Sequence, residues 1–545
     1  MPMQVSVLVL LVQALMAFLA YPTPLLMKPN PVSALLLPLA LAPVFLFVLL
    51  YRGRQAFLWT GLSVAAVVLL PTFHLTQISL FPVTGALLWL LTLALTFLLG
   101  GAYGSLGAFI FRRLPWSFSL SAPVLLCGEE FGRVLLSEVF SLVPPPSFTL
   151  SLPLAGWPPL IQMSAFTGLY GPALMVFFVG AVLAQVAAEF LARAGWIKPD
   201  LVLTAPQRRL AGLVSVAVAA GLLFLAVLGN ADAMRFSRLQ KEAQRVIRPA
   251  LLQSQFDPSQ APEWGPPQRG FALRTYRQMC YEAVAKQAQV LVFTENALPL
   301  TLPGEQQAWQ HLCGIFRETG LPAFVGLITT VGDEETYNVW YLISAQGEME
   351  DHYIKRYLTP FGEYLPLRGL VDAVLGGVNA LLNTSYKIFR ITAIPNDHYD
   401  LGAGREEKVF AVAGARVSLK VCTETTIPRF FRQAVNQGAE VFFSPRAVNW
   451  FKTPVDWYLN MEACSFRAVE SRRWIGLVAS MGAAATVDAL GVVRSETPYG
   501  IRAVDVPTLP LLDGLTFYAR FGDLFAWLCV LVILLLVAFA ATRRP

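Results

Sequence analysis

The hydrophobic pattern of the chain changes character twice. Up to about residue 230, and again over the last 25, apolar residues run on with few charges, whereas 231–520 alternates short apolar runs with charged ones. A helix needs about 20 mostly apolar residues to cross a hydrocarbon core. On that criterion spans are predicted near 4–20, 32–51, 56–73, 84–111, 116–140, 165–192, 208–229 and 523–541. The fifth is the most polar: "CGEEFGRVLLSEVF" carries Glu129, Glu130, Arg133 and Glu138, charges that belong in a bundle interior, a polar cavity or an interfacial helix. Ala14, Ala17 and Ala20 give the first stretch some look of a signal peptide. No Lys or Arg precedes Lys28, however, so it reads as a span. The expected fold class is a polytopic α-helical membrane bundle of about eight spans with a water-facing domain between spans seven and eight. Its expected domains are a bundle over 1–230, the domain over 231–515 and a final span over 520–545.

Within that domain the apolar runs are short and β-branched and are separated by helical stretches. "VIRPALLQSQF", "AQVLVFTE", "PAFVGLIT", "NVWYLIS", "AEVFFSP", "RWIGLVAS" and "ATVDALG" read as strands. "KVFAVAGARVSLKVC" reads as a hairpin turning at Gly414, and helices are expected near 270–288, 305–319 and 456–472. Continuous apolar strands between helices indicate an α/β domain with buried sheets.

Composition agrees with the pattern: the 545 residues are 55% hydrophobic and 14% charged, with a mean hydropathy of +0.56. The net charge of +6 follows from topology. Arg52 and Arg54, Arg112 and Arg113, the group Arg193, Lys198, Arg208 and Arg209, and Arg543 and Arg544 all fall in the even-numbered loops or after the last span. The positive-inside rule then places both termini in the cytoplasm and the large domain on the outer, periplasmic face of a bacterial inner membrane. No basic stripe with interleaved aromatics points to nucleic acid. The six cysteines show no CxxC spacing, so neither zinc nor another metal or cofactor is expected. Disulfides among Cys280, Cys313 and Cys464 stay open in an exported domain.

Three predicted strands end on polar residues of interest, the third being "VFFSP", which leads into "RAVNW". "VLVFTE" delivers Glu295, "SLKVC" delivers Cys422, and between them "DHYIKRYLTPFGEYLP" holds Lys355, Arg356 and Glu363. A thiol becomes a nucleophile when a base takes its proton or a cation stabilises the thiolate. Glu295 is the candidate base, and Lys355 suits both thiolate and oxyanion. Of the four histidines only His352 lies near such a motif, and a Cys–His pair fits less well.

"VFTENALP", "YIKRYLTPFGEYLP" and "VCTETTIP", in that order, resemble the carbon–nitrogen hydrolase (nitrilase) superfamily with its Glu–Lys–Cys triad. Together with the bundle, "QMSAFTGLYG", "NWF" at 449–451 and "SFRAVESRR", the likeness is to its apolipoprotein N-acyltransferase branch. The resemblance implies a nitrilase-like αββα sandwich in which Glu295 is the base, Lys355 the oxyanion cation, Cys422 the nucleophile and Glu363 a second catalytic carboxylate. It also implies that Glu424, Trp264, Tyr364 and Thr423 bind substrate, with Glu424 shaping the acyl-acceptor pocket. A phospholipid, phosphatidylethanolamine in expectation, would acylate the thiol, and the α-amine of a diacylglyceryl-apolipoprotein would then receive the chain. A monomer is expected, since each chain holds a complete site. The arm "LPLRGLVDAVLGGVNALLNTSY" is expected to lie near the membrane as a lid. Departures from the family pattern are Thr423 in place of an aromatic, Gln253, Ser254 and Gln255 in place of Gln-Gly-Asn, and Ser480, Met481 and Gly482 in place of Asn-Thr-Gly. The alternatives are a membrane-tethered amidase and a transporter or scaffold whose domain only binds.

Overall fold

A computed structural model describes the chain except for residues 23–29, 78–81, 141–148, 198–202, 257–265, 299–300, 303, 332–334, 361, 366–367, 370–372, 374–399, 449–452 and 544–545. Trp264, the "NWF" stretch, the side chain of Glu138 and nearly all of the expected lid fall outside the described residues.

The N-terminal half is helical: α1 (Met3–Ala20), α2 (Pro31–Leu50), α3 (Gly53–Leu69), α4 (Pro82–Arg113), α5 (Phe118–Phe140), α6 (Tyr170–Arg193) and α7 (Ala205–Glu242). Six described helices, α12 (Leu524–Thr542) included, are long and apolar enough to cross a membrane, and α3 is a shorter apolar one. The protein is therefore a membrane protein, with fewer qualifying helices than the eight spans expected.

The differences have local causes. Helix α3 stops at Leu69, ahead of Pro71, and the chain continues as a 3₁₀ turn over Pro71–Gln77. The sixth expected span begins only at Tyr170, because Gly168 at φ +63° separates it from the short helix Ser164–Thr167. Helix α5 has the length but not the composition. Its Arg133 sits 3.8 Å from Glu129 and 3.7 Å from the buried Glu130, and Glu130 accepts the Leu150 amide at 2.5 Å. Arg133 and the Leu150 amide thus offset part of the charge of Glu129 and Glu130 inside the bundle. Helix α7 runs past the continuous apolar stretch to Glu242, so the boundary expected at 230/231 falls inside a helix. Hydropathy marks where lipid ends, not where a helix does.

The α/β domain has four layers. One sheet has seven strands: β1 (Pro249–Gln253), β2 (Val290–Val292), β3 (Ala323–Val331), β4 (Glu335–Ile343) and β5 (Met349–Ile354) in spatial order, with β12 (Ala503–Asp505) beside β1 and the short strand Thr301–Leu302 on β3. The other has six, β6 (Phe410–Val412), β7 (Ala415–Leu419), β8 (Val441–Ala447), β9 (Trp474–Ser480), β10 (Ala484–Val487) and β11 (Val493–Glu496), ordered 11-10-9-8-7-6.

Alternate side chains explain the layering. Leu251, Val290, Val292, Phe324 and Trp340 meet Val417, Leu419, Val441, Phe443 and Val478 between the sheets. Their neighbours Leu252, Leu291 and Phe293 face outward onto α8 (Pro266–Ala285) and α9 (Gln306–Thr319). Phe442, Ile475 and Leu477 face α10 (Pro428–Asn436) and α11 (Val455–Ser471). The expected hairpin at Gly414 is present, with Ala413 and Gly414 both at positive φ. β1 and β2 run parallel, as do β7, β8 and β9. The Glu295 amide donates to Arg446 O at 3.3 Å, which brings the segment after β2 to the end of β8, the strand parallel to β7.

Helix α11 joins the domain to the bundle. Its Ala463, Phe466 and Val469 lie in the core shared with the N-terminal helices. Beyond its end, Arg472 binds Asp232 of α7 at 2.9 Å and Gln162 at 2.8 Å.

Candidate active site

Glu295 follows β2, Lys355 follows β5 and Cys422 follows β7 by three residues. Each is almost fully buried. Lys355 Nζ lies 2.9 Å from Glu295 Oε1 and 2.8 Å from Glu363 Oε2. The Thr359 amide donates to Glu363 Oε2 at 2.7 Å, so the "TPFGE" turn folds its carboxylate back onto the lysine. Burial alone would lower the lysine pKa, but Glu295 and Glu363 raise it well above the ordinary value. The ammonium stays charged.

The Cys422 thiol is pushed up to about 12, by burial and by Glu295, against the opposing pull of Lys355 and Arg446. Near pH 7 the resting thiol is then protonated. A resting thiolate does not carry this site, and the thiol must lose its proton to a base as it attacks. Cys422 also sits at φ +51°, where an L-residue is held only by its surroundings. Its carbonyl receives Thr425 Oγ1 at 2.8 Å and Arg446 Nη1 at 3.3 Å. These bonds hold the tight turn Cys422–Thr426.

Glu424, expected to shape the acyl-acceptor pocket, is held by four hydrogen bonds. It is wholly buried. Oε1 accepts from the Tyr353 hydroxyl at 2.6 Å, the Arg356 amide at 2.7 Å and the Tyr357 amide at 3.2 Å, while Oε2 takes the Val421 amide at 2.8 Å. A carboxylate two residues into a 3₁₀ turn points back at the turn's own amide, and here it also ties the nucleophile turn to the lysine segment. Thr423 is half-buried, 3.2 Å from Thr359 Oγ1. Tyr364 packs against Ile328, Leu358 and Leu401. His352 is exposed on β5 with its ring against Tyr341, away from the thiol. All six cysteines are free and buried. Two of the sequence departures meet: Gln253 Nε2 donates to Gly482 O at 2.8 Å, and the Met481 amide donates to Ser254 O at 3.1 Å.

Asn338 was not legible as a site residue. Fully buried on β4, it donates from Nδ2 to Glu295 Oε1 and to Glu363 Oε1, each at 3.0 Å. The N–H₂ carries two protons, one for each carboxylate. The one signal was an amide opening the apolar run "NVWYLIS". Asn338→Leu keeps the volume and removes both bonds. It is expected to lower stability by about 1–3 kcal/mol and kcat by about 10–100-fold. Asn338→Asp, adding a third carboxylate, is expected to be worse, and thermal melts with single-turnover rates check the order.

Residues 264–509 match the carbon-nitrogen hydrolase family. Over 533 residues the chain is 27% identical to an apolipoprotein N-acyltransferase of Geobacter metallireducens, covering 95% of this chain and 93% of that one. An apolipoprotein N-acyltransferase of Azotobacter vinelandii is 25% identical over 72% of this chain and 70% of its own. An amidase of the nitrilase superfamily from Nesterenkonia AN1 overlays with a TM-score of 0.36 at 18% identity, over 52% of this chain and 95% of the amidase. Residues 264–509 thus resemble the carbon–nitrogen hydrolases, and along nearly its whole length the chain resembles the apolipoprotein N-acyltransferases.

Proposed function

We propose that the protein N-acylates the terminal diacylglyceryl-cysteine of lipoproteins, taking the acyl chain from a phospholipid through a thioester on Cys422. The observation that carries this reading is the joining of two features in one chain. A buried thiol, ammonium and two carboxylates stand beside one another, in a domain seated on apolar helices whose relatives of similar length are apolipoprotein N-acyltransferases. Both substrates are bilayer-anchored, which a membrane bundle suits and a soluble amide does not require.

In this reading Glu295 takes the thiol proton as sulfur attacks the ester carbonyl, and the Lys355 ammonium receives the developing oxyanion. Collapse expels the lysophospholipid, which leaves with the proton from Glu295. The neutral α-amine of the acceptor then attacks the thioester, and Cys422 leaves as the thiol. Glu363 and Asn338 hold Lys355 and Glu295 in register. Thr423, Trp264 and Tyr364 are proposed to contact substrate. The domain is taken to face the periplasm from the inner membrane, with bundle, domain and final span near 1–230, 231–515 and 520–545, and the chain to act as a monomer.

Detergent-solubilised protein mixed with phosphatidylethanolamine and a diacylglyceryl lipopeptide tests the function. The lipopeptide should gain one acyl chain on its α-amine, with matching lysophospholipid. Ammonia released from a small amide, with no lipid dependence, would instead favour the amidase.

The thiol's environment gives a pH prediction. Cys422 alkylation by iodoacetamide should climb about tenfold per pH unit through pH 7–10, without a plateau. Glu295→Gln removes a charge that raises the thiol pKa, so alkylation should quicken while acyl transfer is lost. Peptide mapping of the Cys422 adduct measures both effects.

A further inference from the structure

A buried lysine survives only with partners. Lys420, two residues before the thiol, is fully buried. Its Nζ lies 2.6 Å from Glu407 Oε1 and donates to Ser418 Oγ at 2.8 Å. The other Glu407 oxygen is 2.8 Å from Nη1 of Arg356, the residue after Lys355. Arg356 Nη2 donates to Gln433 at 2.8 Å, and its guanidinium lies 4.1 Å over the Phe430 ring. One carboxylate thus fastens the segment that delivers the thiol to the segment that delivers the ammonium. The chain leading to Glu407 lies along the same site: the Leu401 amide donates to Glu363 O at 2.9 Å, and the Gly404 amide donates to Lys355 O at 2.8 Å.

We propose that Glu407, with Lys420 and Arg356, is a positioning cluster that holds the Lys355 ammonium against the Cys422 thiol. None of the three touches the reacting atoms. Packing alone does not account for the cluster, because buried ion pairs gain little over apolar residues of the same volume. What shared charged hydrogen bonds add is direction. The inference rests on the Lys355–Cys422 reading above.

The sign of one effect separates positioning from both electrostatics and simple cement. The charged groups acting on the thiol are Glu295, Lys355, Arg446 and Asp456. Glu407→Gln removes a negative charge, and through space alone that would ionise the thiol more readily and speed its alkylation. If Glu407 instead holds Lys355 in place, the variant loses the cation that favours the thiolate. Alkylation of Cys422 at pH 8–9 should then slow by about threefold or more. Full-length protein in detergent is compared by mapping the Cys422 iodoacetamide adduct, beside a thermal melt. Glu407→Asp, which keeps the charge and shortens the reach, should slow alkylation in the same direction and serves if Glu407→Gln does not fold. Alkylation unchanged or faster in the folded variants overturns the proposal, whatever the melt. If alkylation slows as expected but wild type forms no thioester with phospholipid, the acyl-transfer reading fails and the positioning cluster stands.

Discussion

Replacing Lys355 by methionine is expected to lower acyl transfer by roughly 10³-fold or more and to destabilise the domain by about 3–5 kcal/mol. The side chain fills the same space, so the loss isolates the charge. Without the ammonium, Glu295 and Glu363 remain buried beside one another, bridged only by the Asn338 amide. Two such carboxylates take up a proton more readily than carboxylates beside a cation. The sign with pH follows. In wild type the raised lysine pKa means its contribution is complete below the unfolded lysine value and is lost only as pH rises through the folded one. The wild-type contribution is therefore flat from pH 5 to 9. In the variant the folded state binds a proton that the unfolded state releases, so the deficit should shrink as pH falls from 8 to 5. Thermal melts across that range check it, and a deficit that widens toward acid would contradict the charge arrangement.

Glu424→Ala is expected to cost about 4 kcal/mol, because three backbone amides and the Tyr353 hydroxyl lose their acceptor inside the domain. That corresponds to roughly a 10 °C fall in melting temperature for a domain of this size. Activity should fall about 10²-fold even in folded protein, since the turn at Cys422 is no longer tied to the lysine segment. Glu424→Gln keeps one acceptor oxygen but turns an N–H₂ toward donors, and should lie between. A substrate-contact role makes a different prediction: KM rises and the melt barely moves. Melting curves alone decide between them.

The two groups of the site that sit just beyond strand ends, Glu295 and Cys422, stood out in the sequence because apolar runs stop there. Lys355 and Glu363 were legible through the motif between them. Asn338 was not, because its partners lie 25 and 43 positions away and local patterning carries no such pairing. Glu424 was placed in the site, but the four hydrogen bonds it accepts were not legible. Sequence proximity to a nucleophile says nothing of direction, and direction here is set by a 3₁₀ turn. Lys420 did not stand out, because its partner Glu407 lies 13 positions away. In the bundle, the apolar stretches predicted helices well. Pro71 and Gly168 moved two boundaries, and α5 was legible as a helix but not as a clear span, because hydropathy cannot see that Arg133 and the Leu150 amide lie against Glu129 and Glu130.

The most direct test of the account is the intact mass of purified protein after mixing with phosphatidylethanolamine, beside Cys422→Ala. The account predicts one added acyl mass that maps to Cys422, is removed by hydroxylamine and is absent from the variant. Wild-type protein that is folded and presented with the lipid, yet keeps Cys422 as a free thiol while lysophospholipid still appears, would contradict it.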